Sequence, residues 1–284
     1  MRQAQYGIGA PLMRPRDLAR RRRGLRLKFF ACVMNLCALM PIHPAAAIVG
    51  GAPAERAIGQ SLVMVLAEGG GACSGVVIAA RAVLTAGHCL PKGREIRVYA
   101  PSPDTPGAPH LITPLASAVH PGYVQNSLGT RRRSVDLALI RLPEALPAPF
   151  APLSLVMASA PGPGETTVIA GDGLSQEGVA SSSGTPRSIS LPVVEPYGRG
   201  TILLWAAPAS SASEGACEGD SGGAMLEPQG ALLAIIAFAE GNGHARCGKL
   251  TQGVLVAPQR EFIDRTLARW GESARWTDHA DGLR

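Results

Sequence analysis

The chain has 284 residues, enough for one large domain or two modest ones, and it carries 34 glycines and 24 prolines. Its net charge of +6 is unevenly placed. Residues 1–47 hold nine Lys and Arg against one acid, Asp17, whereas residues 48–284 hold eighteen against twenty. A slightly acidic body gives no broad basic face, so neither nucleic acid nor an anionic membrane is expected as a partner.

The basic excess belongs to a leader. Arg20 to Arg23, Arg26 and Lys28 precede Phe29 to Met40, a twelve-residue apolar run interrupted only by Asn35, and Pro41 and Ala45-Ala46-Ala47 follow. This is the anatomy of a removable export signal, residues 1–47, and the run is too short for the roughly 20 residues that span a bilayer as a helix. A secreted or periplasmic protein, with no stable membrane insertion after cleavage, is the expectation. Cys32 and Cys37 leave with the leader, so Cys73, Cys89, Cys217 and Cys247 remain. An even count in an exported chain reads as two disulfides, in one of three pairings. The local pairing, 73–89 with 217–247, would set each bridge beside a motif. No C-x-x-C or H-x-x-x-H spacing offers a zinc site, and neither metal nor organic cofactor is expected.

From Ile48 onward, short apolar runs alternate with Gly, Pro and Ser. Ser61–Leu66, Gly75–Ala80, Ile96–Tyr99, Leu137–Leu142, Thr167–Ala170, Ile189–Val194, Ile202–Trp205, Leu232–Phe238 and Gly253–Val256 are strand-length. That spacing predicts an all-β sandwich or barrel. One helix is predicted over Pro258–Trp270, with Phe262, Ile263, Leu267 and Trp270 on one face. The Pro/Gly-rich stretch Ala145–Gly164 reads as a crossing between two β subdomains. Residues 101–109 and 173–186 read as exposed loops.

The chemistry concentrates in Gly219-Asp220-Ser221-Gly222-Gly223. A serine among three glycines suits a turn that presents its hydroxyl and leaves nearby N–H groups aimed at one point, the layout of a nucleophile with an oxyanion hole. The same residues fit G-x-S-x-G, with Asp264 and His279 downstream to complete an α/β-hydrolase order. That elbow needs a buried strand before the serine and a helix after it. Ser210 to Gly215 is no buried strand, and Ile235 to Phe238 reads as strand, so the context argues against it.

Three further motifs converge with the serine. Thr85-Ala86-Gly87-His88-Cys89 carries a histidine beside a cysteine, Val135-Asp136-Leu137-Ala138-Leu139-Ile140 sets a carboxylate at the head of an apolar strand, and Ile48-Val49-Gly50-Gly51 directly follows the leader. Cys217 lies four residues before Ser221. Together these strongly resemble the chymotrypsin-like (trypsin-fold) serine peptidases, whose order is His, Asp, Ser. The resemblance covers essentially all of residues 48–270. It implies two packed antiparallel six-stranded β-barrels with a C-terminal helix, here residues 48–150, 151–257 and 258–284, and polypeptide substrates cut by a monomer.

Carried over by position, His88, Asp136 and Ser221 are the implied catalytic residues, and the N–H groups of Gly219 and Ser221 the oxyanion donors. Asp220 is implied to pair with the α-amino group of Ile48 once it is freed. Signal cleavage after Ala47 would create that group in the same step. His120, in His120-Pro121-Gly122-Tyr123, matches a structural segment. Gly215 aligns with the pocket floor, where trypsins carry an acid, and Ala237-Phe238-Ala239 with the wall, where Ser-Trp-Gly is usual. Ala237 lacks a hydroxyl that supports the triad aspartate, Ala239 adds a methyl at the mouth, and Gly171-Asp172-Gly173 stands where Gly-Trp-Gly is usual. The expected preference is for small or medium apolar side chains. The alternatives are a peptidase-fold binding module with little turnover and an esterase with His279 as base.

Overall fold

The computed structural model describes residues 48–101, 109–127, 133–157, 159–196, 198 and 200–278. The leader read as an export signal, nearly all of the 101–109 loop and His279 lie outside these residues. Strand β1 (Ala52–Pro53) and the helical turn α1 (Arg56–Gly59) come first. Then follow β2 (Leu62–Ala67), β3 (Gly71–Ala79), β4 (Ala82–Thr85), β5 (Ile96–Pro101), β6 (Pro109–Ile112), β7 (Ala116–Val119) and β8 (Ala138–Arg141). Strands β2 to β8 make one sheet in the order β6-β5-β2-β3-β4-β8-β7.

The second half supplies β9 (Leu155–Val156), β10 (Thr166–Gly171), β11 (Arg187–Val194), β12 (Leu203–Ala206) and β13 (Ala224–Leu226). It continues with β14 (Leu232–Gly241), β15 (Gly248–Leu255), the helix α2 (Arg260–Trp270) and β16 (Trp276–Thr277). The ladder β13-β10-β11-β12-β15-β14 closes into a six-stranded ring because β13 also pairs with β14. Strands β9 and β16 extend it in parallel register, and β1 adds to β11.

The fold is therefore all-β with a C-terminal helix: one closed six-stranded barrel and one seven-stranded half-barrel. The half-barrel is where the architecture differs in detail from a pair of six-stranded barrels. Its edge strands β6 and β7 are neighbours in the chain but do not pair, and the link between them contains Pro114, which has no N–H to continue a ladder. Leu115 turns instead to Arg141, donating its N–H to that carbonyl at 2.8 Å and setting β7 beside β8.

Strand order brings the two sheets together through a shared core. The larger apolar cluster takes Val76, Leu84, Leu139 and Ile140 from the first sheet, Ala170, Leu226 and Ile235 from the second, and Ile263 and Leu267 from α2. These side chains are all essentially buried, so hydrophobic burial holds the sheets as one body. The crossing between them is pinned as well: Ala151 N–H donates to Gln60 O at 3.0 Å, and Leu153 N–H to Val77 O at 3.0 Å.

Helix α2 begins after a 3-10 turn, Ala257–Gln259, with Pro258 in its first positions. It ends at Gly271 in the left-handed conformation, φ 72°. Phe262 packs edge-on against His120, centroids 4.6 Å apart, and burial lowers the His120 pKa. His120 Nδ1 accepts the Gly122 N–H at 3.0 Å, so this histidine is a packing residue. Loop 173–186 is less exposed than its composition predicts. Leu174 and Ser182 are buried, and Ser182 exchanges hydrogen bonds with Gln176 because its small hydroxyl can satisfy the loop's own backbone. No helix among the described residues is long and apolar enough to cross a membrane.

Candidate active site

His88 sits on the 3-10 turn Gly87–Cys89 that follows β4. The turn is tied to β3 by the Cys73–Cys89 disulfide, and Cys217–Cys247 is the second bridge, so the local pairing is the one present. Asp136 precedes β8, the partner strand of β4, and the β4–β8 register delivers its carboxylate to the histidine. Nδ1 of His88 lies 2.7 Å from Asp136 Oδ2, while the His88 backbone N–H donates to Oδ1 at 2.9 Å. One carboxylate thus fixes both the ring and the backbone of a single residue. A side chain at Gly87 would have its Cβ 3.1 Å from both Asp136 Oδ1 and the Tyr123 ring, close enough that these neighbours would have to shift by a few tenths of an ångström. The Tyr123 hydroxyl pKa is raised by burial and by the Asp136 charge.

Ser221 lies on a turn between loop and β13, not between strand and helix, and Asp264 is engaged by Trp276 Nε1 at 2.8 Å. The hydrolase-elbow arrangement is therefore not the one formed around this serine. Gly219 and Gly222 adopt φ of 92° and 84°, values open to glycine at low cost. A Cβ at Gly219 would also meet Gly173 Cα at 2.8 Å, and one at Gly222 would collide with the Ser74 carbonyl. The turn leaves the N–H groups of Gly219 and Ser221 without a protein acceptor among the described residues, whereas Asp220 N–H donates to Cys217 O at 3.1 Å and Gly223 N–H to Asp220 O at 2.8 Å.

Asp220 points away from the cleft and is completely buried. Its Oδ1 accepts the Gly173 N–H and its Oδ2 the Cys217 N–H, each at 2.8 Å, and the backbone N–H of Ile48 also donates to the carboxylate. Burial nonetheless pushes its pKa up to about 8, with nearby Asp172 adding to the rise and the three N–H donors opposing it. Asp172, buried beside it, is pushed up to about 7 by the same loss of solvent. Ile48 is itself wholly buried, and Val49 and Gly215 exchange backbone hydrogen bonds of 3.0 Å in both directions.

His88, Asp136 and Ser221 line one cleft of about 430 Å³, together with Cys217, Glu218, Ala237, Phe238, Ala239 and Arg246. Among the described residues no hydrogen bond joins Ser221 Oγ to the imidazole; catalytic hydrogen bonds are commonly loose without substrate. Gly215 does not line this cleft. It is buried against Val49 and Thr251, and a Cβ there would lie 3.0 Å from Thr251 Oγ1. Cys73, His88 and Cys89 form a group with metal-ligating side chains, but both sulfurs are in the disulfide, which leaves one imidazole.

Three contributors escape a motif reading. Ser74, fully buried on β3, donates from Oγ to Gly219 O at 2.9 Å and accepts the Asp172 N–H at 2.9 Å. Arg246 sets Nη1 2.7 Å from Glu218 Oε1 at the cleft mouth. Glu177 receives the Arg246 backbone N–H at 2.9–3.0 Å. The only sequence signals were a serine directly after Cys73 and an arginine directly before Cys247, and neither carries a spacing rule.

Comparison with known proteins agrees with this fold. The trypsin family matches residues 48–257. The vitellin-degrading protease of Bombyx mori is 27% identical over 254 residues, covering 83% of this chain and 92% of that protein. Among solved structures, mouse neuropsin, a serine protease expressed in the limbic system of the brain, superposes with a TM-score of 0.62 at 22% identity, covering 77% of this chain and 99% of its own. With the family matched over residues 48–257, most of its length, the chain belongs to the trypsin family of serine peptidases.

Proposed function

We propose that the protein is an exported endopeptidase that cleaves polypeptides through His88, Asp136 and Ser221. The observation that carries this reading is an aspartate-oriented imidazole and Ser221 lining one cleft, with the N–H groups of Ser221 and the adjacent Gly219 free of a protein acceptor among the described residues. His88 Nε2 takes the Ser221 Oγ proton as Oγ bonds to the scissile carbonyl carbon. The carbonyl oxygen gains negative charge and is met by the N–H groups of Gly219 and Ser221, each worth about 3–4 kcal/mol in the transition state. Collapse breaks the C–N bond, and the imidazolium gives its proton to the departing amine. Water then repeats the sequence on the acyl-enzyme, with His88 as base, and frees Ser221. Asp136 holds Nδ1 as the donor side of the ring and stabilises the imidazolium.

Activation follows from Asp220. While the chain is uncut, Ile48 offers that carboxylate only a neutral amide N–H. Cleavage after Ala47 turns the same nitrogen into an ammonium and gives the buried acid a cation. Crossing the membrane and losing the signal would then switch the enzyme on in one step, in a secreted or periplasmic location. Sequencing the N-terminus of active exported protein tests this; a stable, inactive exported form beginning upstream, such as at Ile42, would overturn it.

For substrate, Ala237, Phe238 and Ala239 offer an apolar wall, and Glu218, an acid in the same cleft, is paired with Arg246. A peptide-library profile should favour small or medium apolar side chains before the cut, and dominance of Lys or Arg would refute that. A fluorophosphonate probe tests the reaction itself. Stoichiometric labelling, lost in Ser221→Ala along with roughly a millionfold of kcat, is the expected result. No labelling of the cut protein at any pH would make it a peptidase-fold binding module.

A further inference from the structure

The geometry points to Ser74 as a positioning residue that holds the oxyanion hole open and in register with the histidine. This rests on the peptidase reading above and goes beyond it. Ser74 lies on β3, in the sheet that carries His88 and Asp136, yet its bonds reach the nucleophile turn of the other sheet. Its N–H donates to the Ser221 carbonyl at 2.7 Å, and its hydroxyl donates to the Gly219 carbonyl at 2.9 Å. The two residues proposed as oxyanion donors therefore have both carbonyls held by one side chain and one backbone N–H of the same residue.

The hydroxyl has a second bond that fixes its direction. It accepts the Asp172 N–H at 2.9 Å, so its own proton is left to point at Gly219. The Ser74 carbonyl in turn accepts Thr85 Oγ1 at 2.8 Å, just ahead of the turn that bears His88. Its chain neighbour Cys73 is bonded to Cys89, the neighbour of His88. The dipeptide Cys73-Ser74 thus links base and oxyanion donors through a disulfide and hydrogen bonds that are buried or half-buried.

The reason such a clamp matters lies in Gly219. A glycine at φ 92° has little intrinsic preference for one peptide orientation. The Glu218 carbonyl is held by the Leu174 N–H at 2.8 Å, which secures the peptide before Gly219. Ser74 secures the peptide after it. With its hydroxyl gone, the half-buried Gly219 carbonyl loses its acceptor bond, with no other protein donor to it among the described residues, and the turn gains by shifting to find one. A shift of the turn moves the Gly219 Cα, and with it the N–H that it bears, off the position where charge develops, which costs the transition state and not the ground state.

The test compares Ser74→Ala with the wild type in the cut protein, using a peptide boronic acid that becomes tetrahedral on Ser221 and a product-like peptide acid that does not form an oxyanion. In Ser74→Ala, kcat should fall roughly 10- to 100-fold with KM little changed, short of the 10²–10³ seen for outright loss of a donor. Boronate affinity should fall by a similar factor while product affinity stays within about twofold. Ser74→Thr, which keeps the hydroxyl, should restore the boronate-to-product ratio. Should the alanine variant not fold, Ser74→Gly makes the same comparison on a backbone that accepts glycine. An unchanged ratio in either folded variant overturns the role of Ser74 alone. A wild type that neither labels with the fluorophosphonate nor turns over any peptide overturns the peptidase reading, and this one with it.

Discussion

Asp136 and Asp220 are acids at the same site, one from each sheet, and they are held in opposite ways. Asp136 keeps 19% of its side chain exposed and is met by two groups of a single residue, the ring and the backbone of His88. Asp220 has no solvent, takes N–H donors from three separate segments, and has no cation beside it in the uncut chain. Its neighbour is a second buried acid, Asp172. A carboxylate at the water's edge needs only a donor in the right place, so its job is to orient. One sealed away from water needs a counter-charge, so its state depends on whether Ile48 supplies one. The comparison separates a fixed part of the site from a conditional part.

Removing the charge on each side should break the comparison differently. Asp136→Asn leaves the geometry but lets the imidazole take the wrong tautomer, and kcat should fall by about 10⁴. The folded chain should melt near the wild-type temperature, because a partly exposed amide replaces a partly exposed acid. Asp220→Asn leaves the ammonium of the cut chain buried without a partner, a cost of about 3–5 kcal/mol. Activity should fall by hundreds- to thousandfold, and thermal stability with it. Steady-state kinetics and melting curves for both variants decide the matter; a stable, fully active Asp220→Asn would mean that the turn is held without the ion pair.

The conditional side should also be readable in pH. In the uncut chain the folded state keeps protons on Asp220 up to about pH 8 and on Asp172 up to about pH 7, whereas the unfolded chain releases them near the ordinary 3.8. The folded form binds more protons between those limits, so stability is full below about pH 4 and declines as pH rises toward 8. In the cut chain the Ile48 ammonium faces Asp220, and its own pKa rises above the reference of about 7.7–8.0. That contribution is present below the unfolded value and fades only as pH climbs through the folded one. Melting temperatures at pH 5 and pH 8, for uncut and cut protein in a Ser221→Ala background, should therefore diverge. The uncut chain loses more over that interval; parallel curves would remove Asp220 as the switch.

The two sides also differ in how well the sequence exposes them. His88, Asp136 and Ser221 sit in short contiguous motifs, each open to a packing reading alone, and it is their joint order and the family resemblance that mark them. The nine apolar runs each fall on a strand, because alternation and turn residues are local signals too. Strands β4, β7 and β13 are not marked in the sequence: β4 and β13 adjoin the histidine and serine motifs, and β7, Ala-Ser-Ala-Val, has one large apolar side chain. Closure of one sheet and not the other depends on pairing between distant strands, which no window contains. Ser74 is the sharpest case. It bonds to a carbonyl 145 residues away, and nothing in Cys73-Ser74-Gly75 sets it apart from a serine in any buried strand. Asp172 stood out only as a departure from an expected tripeptide; its burial comes from how that loop folds over Asp220.

The smallest expected effect sharpens the fixed side. Ala237 lines the cleft near Asp136 and brings no hydroxyl to it. Ala237→Ser could add a donor to the carboxylate, and the gain depends on what that carboxylate lacks. Both of its oxygens already have a close donor from His88, and water reaches the side chain. A further neutral hydrogen bond would exchange with water and contribute about 0.5–1.5 kcal/mol at most. We expect kcat to rise about two- to tenfold with KM and the apolar preference unchanged, since the wall stays small. A hundredfold gain would mean that Asp136 is poorly held as it stands, and that the orienting side of the cleft, not the Asp220 switch, limits this enzyme.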